Sequence, residues 1–572
     1  MLFFYNLLWY NDIDTGDGVH KVGTSMEKGL MFRNFRPVTL FCCGLCAAII
    51  FGMVGACSPK HYKADADKEV YKIIDKKWKG DFGQKVNYTI SDVTPSPNDV
   101  QVEVPSTGVI SLARAAAIAT AHNRDYQKQK EDLYLTALDL TLERHQFAMQ
   151  WFGTFDPKYT RGHSNSSAPG DDDEEELSYN ADLGFNQVLA DGAIVSVDIA
   201  LDWARFLTGD PRASLGSVLT ANISQPLLRG ADRKIAQENL TQAERNVLYQ
   251  IRTFNRYRQK FVVSIVDAYY RVLQQRDAVA NAENNYKLRV ESRQRLEMQA
   301  DAGRVNRFEV DQAKQSELDA MDRYVRAQQN YQQGLDTFKI ELALPTDANV
   351  ELDQNELKAL KEVGVNQPDY SADAAIETAL LERLDLATSM DMIDDALRKV
   401  MVAENGLGAD LNLVGSMSVG STPPTDYSRL QFHRGTYGLG FEADLPLDRK
   451  KERNAYREAL IALTQQQRQY ENDADTVKLD VRNAYRNLEQ AAESYSIQKN
   501  SLDLAQKRVE STTLLLEAGR LTTRDLLDSQ DALLQAQNNL TAALVDHAIA
   551  KLSFFRDIGV LQVRPDGMWV QQ

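Results

Sequence analysis

The chain has 572 residues and a formal net charge of −16, from 65 Lys and Arg against 81 Asp and Glu. That balance argues against nucleic acid as a partner, since phosphate binding needs concentrated Lys and Arg. Only 31 Gly and 15 Pro occur, and Ala, Gln, Leu, Asn and charged residues fill long tracts, a composition of extended helix rather than of several compact domains.

The four cysteines, Cys42, Cys43, Cys46 and Cys57, all lie early, so the rest of the chain has neither a disulfide framework nor a cysteine metal site. Residues 38–57 read VTLFCCGLCAAIIFGMVGAC, an apolar run preceded by Arg33 and Arg36 and closed by small residues, which is signal-peptide anatomy. The closing Val54-Gly55-Ala56-Cys57 resembles a bacterial lipobox, with residues 1–56 removed and a covalent lipid on Cys57. An uncleaved transmembrane anchor is the alternative, and the run is of borderline length for one. Asp12, Asp14 and Asp17 stand where a signal needs positive charge, so translation is expected to start at Met26 or Met31. Ser58, not Asp, follows the cysteine, which leans towards outer-membrane sorting.

Residues 57–108, with Pro95, Pro97 and Pro105, read as a tether or irregular packing segment. A helix is expected from about Ser111 to Met149, with Leu135, Leu138, Leu142 and Met149 at helical spacing. The period then changes. In AIVSVDIALDW, Val195, Val197, Ile199, Leu201 and Trp203 alternate with Ser196, Asp198, Ala200 and Asp202, which describes a strand with different solvents on its two faces. Four strand candidates fall near 155–163, 177–189, 193–206 and 216–226. Helix returns from about Gly230 to Ala302, breaks at Gly303 and continues to about Leu344, where Pro345 closes it.

The plan then repeats: a helix over 374–405, strands over 410–420 and 436–446, and helix from Lys450 to Ala518. It breaks at Gly519 and resumes to about Ile558. The two breaks share a skeleton, DAGRVNRFEVDQAK at 301–314 and EAGRLTTRDLLDSQ at 517–530, 216 residues apart. Domains follow as a first repeat over 109–345, a linker over 346–371, a second repeat over 372–560 and a tail over 561–572.

With this doubled plan, the junction Ser224-Gln225-Pro226-Leu227-Leu228-Arg229-Gly230, its counterpart Asp444-Leu445-Pro446-Leu447, the paired Gly turns and the lipoprotein start, the chain resembles the TolC family of outer-membrane efflux proteins. The resemblance covers nearly all of the mature length. It implies a mainly α fold with a membrane β-barrel part: a homotrimer whose protomers each give four strands to a 12-stranded β-barrel continuous with a long α-helical barrel. It also implies a periplasmic adaptor and an inner-membrane transporter of RND or ABC type as partners, outer-membrane lipid around the barrel, and no cofactor beyond the lipid on Cys57. The family plan wants two strands in the first half where four candidates stand, so either pairs of candidates merge or the Asp191-Gly192 turn marks an extra hairpin.

Within the turns, Gly303 and Gly519 suit the position after a helix where positive φ is needed. Asn306 to Glu309 and Thr522 to Asp525 each fit a capping box. The shared Arg304/Arg520 and Val305/Leu521 are unexplained by helix punctuation, and the resemblance makes these tips the adaptor contact. Asp525 and Asp528 are i and i+3 on one helix face, and the resemblance places them in an acidic ring at a periplasmic gate. The run 171–176, DDDEEE, reads as a solvated loop, and Trp151, Phe152, Phe155, Trp203 and Phe206 as an interfacial girdle or as packing beneath the barrel. Seven scattered His residues, with no phosphate loop or nucleophile elbow, leave no catalytic constellation. The leading expectation is a passive conduit for small molecules in a tripartite efflux pump. The alternatives are type I protein secretion and a lipid-anchored coiled-coil scaffold with no pore.

Overall fold

The computed structural model describes residues 58–570, apart from 83–84, 92–95, 163–173, 207–212, 367, 369, 423–425 and 446. Cys57, the signal region with Met26 and Met31, and Pro446 therefore lie outside the described residues. Residues 68–572 form one unit by themselves.

Helix α1 (Pro59–Lys77) occupies part of the stretch read as a tether, and it buries Val70, Ile73 and Ile74. Strand β1 (Val109–Ile110) precedes two helices, α2 (Leu112–His122) and α3 (Arg124–Gln146). The expected single helix is thus broken at Asn123, whose side chain caps α3 by accepting from the Tyr126 amide. In α3 the inward stripe is Tyr126, Leu133, Ala137 and Leu140. Of the apolar set singled out in the sequence, Leu138 is half-buried against this core, whereas Leu135 and Leu142 are 55% and 63% exposed and Met149, beyond the end of α3, is exposed too.

Four long strands follow: β2 (Gln150–Gly162), β3 (Glu174–Val188), β4 (Ile194–Phe206) and β5 (Ala213–Pro226). None merges with another, and Gly192, at φ 87°, turns the chain between β3 and β4. The extra-hairpin alternative is the one realised. Helices α4 (Glu238–Asp301) and α5 (Arg307–Glu341) then form the first antiparallel hairpin. At ~1.5 Å per residue, the 64 residues of α4 span about 96 Å.

The second half begins with β6 (Glu351–Leu352), which pairs in parallel with β1, and α6 (Gln354–Val363). Helices α7 (Ala372–Glu382) and α8 (Leu384–Asn405) break at Arg383 as α2 and α3 break at Asn123. Strand β7 (Asp410–Thr422), the short β8 (Asp426–Leu430) and β9 (Thr436–Asp444) lead into α9 (Lys450–Glu517) and α10 (Thr523–Asp557).

The main sheet runs β2-β3-β4-β5-β7-β9 with every neighbouring pair antiparallel, and β8 adds a two-residue contact at the end of β7. Each chain therefore gives six long strands where the resemblance implied four. The packed core lies where the helix pairs meet: Tyr126 against Phe254 and Phe261, Tyr269 against Phe338, and Tyr485 against Phe554. Fully buried side chains of this size contribute about 1.5–3 kcal/mol each through area removed from water.

Candidate functional site: the hairpin tips and the two-faced sheet

At the end of α4 the amide of Gly303 donates to Ala300 O (2.9 Å) and that of Arg304 to Gln299 O (2.8 Å). Gly519 and Arg520 repeat this on Leu516 and Leu515, both at 2.9 Å. These are paired Schellman motifs, and each requires the positive φ found at Gly303 (71°) and Gly519 (67°).

The second turn has its expected capping box. Asp525 accepts from the Thr522 hydroxyl at 2.6 Å and from the Thr522 amide at 3.0 Å, and these bonds hold its carboxyl below the usual range. The first turn does not have one. Asn306 makes no side-chain cap bond, and Glu309 instead accepts from the Thr523 hydroxyl at 2.8 Å. Glu309 thus joins the tip of the first hairpin to that of the second, a role that capping logic within one turn cannot reveal.

Asp528 stands clear of the cap: its side chain is 63% exposed, with Arg524 at 4.0 Å. Arg304 and Arg520 are exposed, and Val305 and Leu521 half-buried. Sequence reasoning missed two features here. Phe308 is 75% exposed beside Arg304, an apolar side chain offered to solvent at the tip. Arg289 is buried and donates to Leu527 O (2.7 Å) and Asp531 (2.6 Å), while Arg323 holds the same Asp531 oxygen at 2.9 Å. Three helices are stitched at that carboxylate. The signal was present, because Arg289 occupies the buried stripe of Ala282, Asn285 and Leu296, where a charge needs a partner.

At the other end of the helices, residues opposite one another in the sheet share a face. One face carries Trp151, Phe155 and Tyr159; Leu177, Tyr179, Leu183 and Phe185; Val195 to Trp203 at alternate positions; and, through the register, Leu215, Leu219, Ile223, Leu413, Met417, Tyr437, Leu439 and Phe441. Its only charges, Arg161, Glu175 and Arg205, stand together at the end away from the helices. The opposite face holds Asp156, Glu174, Glu176, Asp182, Asp198, Asp202, Asp410, Glu442 and Asp444 among mostly Ser, Thr, Asn and Gly, with Lys158 as its one base in these strands. Rings meet across the apolar face, Phe155 tilted against Tyr179 (5.8 Å) and Tyr179 stacked on Trp203 (5.0 Å). Of the girdle candidates, Trp151, Phe155 and Trp203 lie on this face, and Phe152 lies on the polar one over Gly184. In the acidic run, Glu174–Glu176 already belong to β3, and 171–173 lie outside the described residues. Pro226 ends β5 opposite Asn412, and the Gly230 amide donates to Asn405 at 2.9 Å, fixing the strand-to-helix junction.

Among the described residues no helix is long and apolar enough to cross a membrane, and no cluster of metal-ligating residues occurs.

A sheet with an apolar and a polar face, continuous with helical hairpins of this length, defines the fold of the outer-membrane channels. The solved CusC channel superposes with a TM-score of 0.56 at 14% identity, covering 78% of this chain and 92% of that one. The Campylobacter jejuni CmeC outer membrane channel gives 0.57 at 14% identity over 84% and 91%, and the open-state Neisseria gonorrhoeae MtrE channel 0.56 at 16% over 83% and 94%. No curated protein matches the sequence. Residues 375–558, most of the second repeat, match the family described as Outer membrane efflux protein.

Proposed function

We propose that three copies of this chain form a passive export channel, with the sheets closing a barrel in the outer membrane and the helices a conduit across the periplasm. The observation that carries this reading is the two-faced sheet. Its apolar face is free of charge over nine residues in β2 (151–159) and nine in β4 (195–203), the length of a tilted membrane strand. Lipid tolerates no open sheet edge, so several copies must close the wall. The helices support an assembly as well. Ile461, Leu479, Ile497, Leu504 and Leu515 of α9 are exposed and recur at nearly whole numbers of turns, an apolar seam that the single chain leaves uncovered.

In this reading the tips around Arg304, Phe308 and Arg520 meet a periplasmic adaptor, which couples the channel to an inner-membrane transporter. Asp525 and Asp528 face the axis as an acidic ring that admits cations more readily than anions. A lipid on Cys57 anchors the mature chain. Small-molecule efflux is favoured over protein secretion by the match of the second repeat to an efflux family.

The test is conductance in planar bilayers. Purified protein is expected to require detergent, to behave as a trimer and to give cation-preferring steps. Asp528→Asn is expected to reduce cation preference, and Asp525→Asn to do so less, because that carboxylate is engaged by Thr522. A soluble monomer that gives no conductance would return the reading to a scaffold with no pore.

A further inference from the structure

Resting on the trimeric channel reading, we infer that the barrel closes with 18 strands, through antiparallel pairing of β2 of one copy with β9 of the next. Six long strands per copy stand in one sheet, to which the short β8 adds a seventh at the end of β7.

The first argument is one of chain length. The helix breaks at Asn123 and Arg383 are 260 residues apart, whereas the tip glycines Gly303 and Gly519 are 216 apart. The first half is therefore longer by 44 residues between its helix break and its tip. Segment 150–193, which is β2, β3 and the turn at Gly192, has that length. The surplus is one hairpin, and it sits at the sheet's edge, outside β4.

The second argument is where such a hairpin can go. Folded into the lumen it would be wet on both faces; laid outside the wall it would be apolar on both. Instead β2 and β3 repeat the wall's own alternation. Trp151, Phe155, Tyr179 and Phe185 continue the apolar face of β4, and Thr154, Asp156, Asn180 and Asp182 continue the polar one. A one-residue slip would invert every one of these side chains. The ring ladder Phe155–Tyr179–Trp203 crosses from the surplus hairpin into the rest of the wall without a break.

The third argument is the edges. Among the described residues the strand neighbour of β2 is β3 and that of β9 is β7, so β2 and β9 are the terminal long strands of the sheet and each has an outer edge. β9 runs opposite to β2 because the path β2-β3-β4-β5-β7-β9 makes five successive antiparallel pairings, so β9 of one copy meets β2 of the next antiparallel. Both edges begin or end at the helix side, β2 after α3 and β9 before α9, which brings Gln150 and Asp444 to the same rim. Since barrel diameter grows roughly linearly with strand number, 18 strands make the barrel about 1.5-fold wider than 12.

Native cysteines occur only at positions 42, 43, 46 and 57, so the wild-type chain and each single-cysteine variant give the background against which a paired crosslink is read. Phe155→Cys on β2 is combined in turn with Leu439→Cys, Phe441→Cys or Ala443→Cys on β9, all on the apolar face, in the full-length chain in detergent or vesicles. A parallel series places Ile199→Cys on β4 with the same partners. Oxidation is expected to give disulfide-linked oligomers for at least one β2–β9 pair and none for β4–β9. Thr154→Cys, on the other face, is expected to stay reduced. A trimer with β4–β9 crosslinks, or one whose β2 cysteines remain free, overturns the 18-strand closure and leaves the channel reading standing. A monomer with no crosslink removes both. End-on electron micrographs of the wild-type trimer count the strands independently.

Discussion

The node at Asp531 makes an asymmetric prediction. Asp531→Ala leaves Arg289 buried with one neutral carbonyl, Leu527 O, as its remaining acceptor. Removing one partner from a buried pair costs on the order of 3–5 kcal/mol. The Asp531 side chain is itself 43% exposed, so water replaces part of what is lost and the low end, about 3 kcal/mol, applies. Arg289→Met removes the buried charge altogether. Leu527 O keeps its place in the α10 hydrogen-bond ladder, and Asp531 keeps Arg323 at 2.9 Å, so this change is expected to cost about 1 kcal/mol or less. The readout is amide hydrogen exchange over the first turns of α10 near Leu526 to Leu534. Asp531→Ala is expected to speed exchange there about 100-fold, since each 1.4 kcal/mol is tenfold, and Arg289→Met by less than about tenfold. Equal protection in the two variants, or a larger loss in Arg289→Met, would refute the account of Arg289 as a costly cation held by Asp531.

Other consequences follow from single residues. Gly519→Ala and Gly303→Ala meet no neighbouring atom, so each is expected to destabilise only through its backbone, by about 1–2 kcal/mol, with Asn milder than Ala; equal melting temperatures would count against the left-handed turns. Lys130 is 6% exposed and burial lowers its pKa to about 8. Its charged form is therefore penalised in the fold below that pH, by about 3 kcal/mol. Stability is expected to rise between pH 8 and the free value of 10.5, and Lys130→Met to raise the melting temperature at pH 7 and flatten that rise. His547, 3% exposed, is pushed below 6.5 by burial and then by Lys551. It is neutral in both states above pH 6.5, and the unfolded chain protonates first below it, so stability is expected to fall as pH drops through that region and less so in His547→Gln. A pH profile unchanged by the substitution would exclude His547 as the group responsible.

The long helices were legible because Gly and Pro punctuate otherwise unbroken 3.6-residue patterns, and their observed ends fall close to the expected ones. Strand faces were equally legible in Val195 to Trp203, where period-2 alternation allows one reading. The helix faces of α3 were not, since Leu135 and Leu142 sit at valid helical spacing on a face the single chain leaves exposed. Periodicity finds a stripe but cannot say whether its cover comes from the same chain. Glu309 was misassigned for a related reason. Its local sequence satisfies a capping box, yet the Thr523 hydroxyl, 214 residues away, is the donor it meets. Likewise the surplus hairpin was visible as four strand candidates, but only the sheet order shows that it extends the wall.

The acidic face of the sheet has a consequence of its own. Asp156, Asp182, Asp198, Asp202 and Glu442 against Lys158 give each copy a fixed negative charge along one surface of its wall. Once that surface encloses water, it behaves as an ion exchanger, concentrating mobile cations and excluding anions within one Debye length of the wall. That layer is about 8 Å thick at physiological ionic strength and about 30 Å at 0.01 M. In a wide lumen the centre is then nearly neutral in ordinary salt, and solutes of either sign pass along the axis. In dilute medium the layers from opposite walls overlap and the whole cross-section becomes cation-selective. The same wall is a permissive pore in one environment and a charge filter in another, with no moving part.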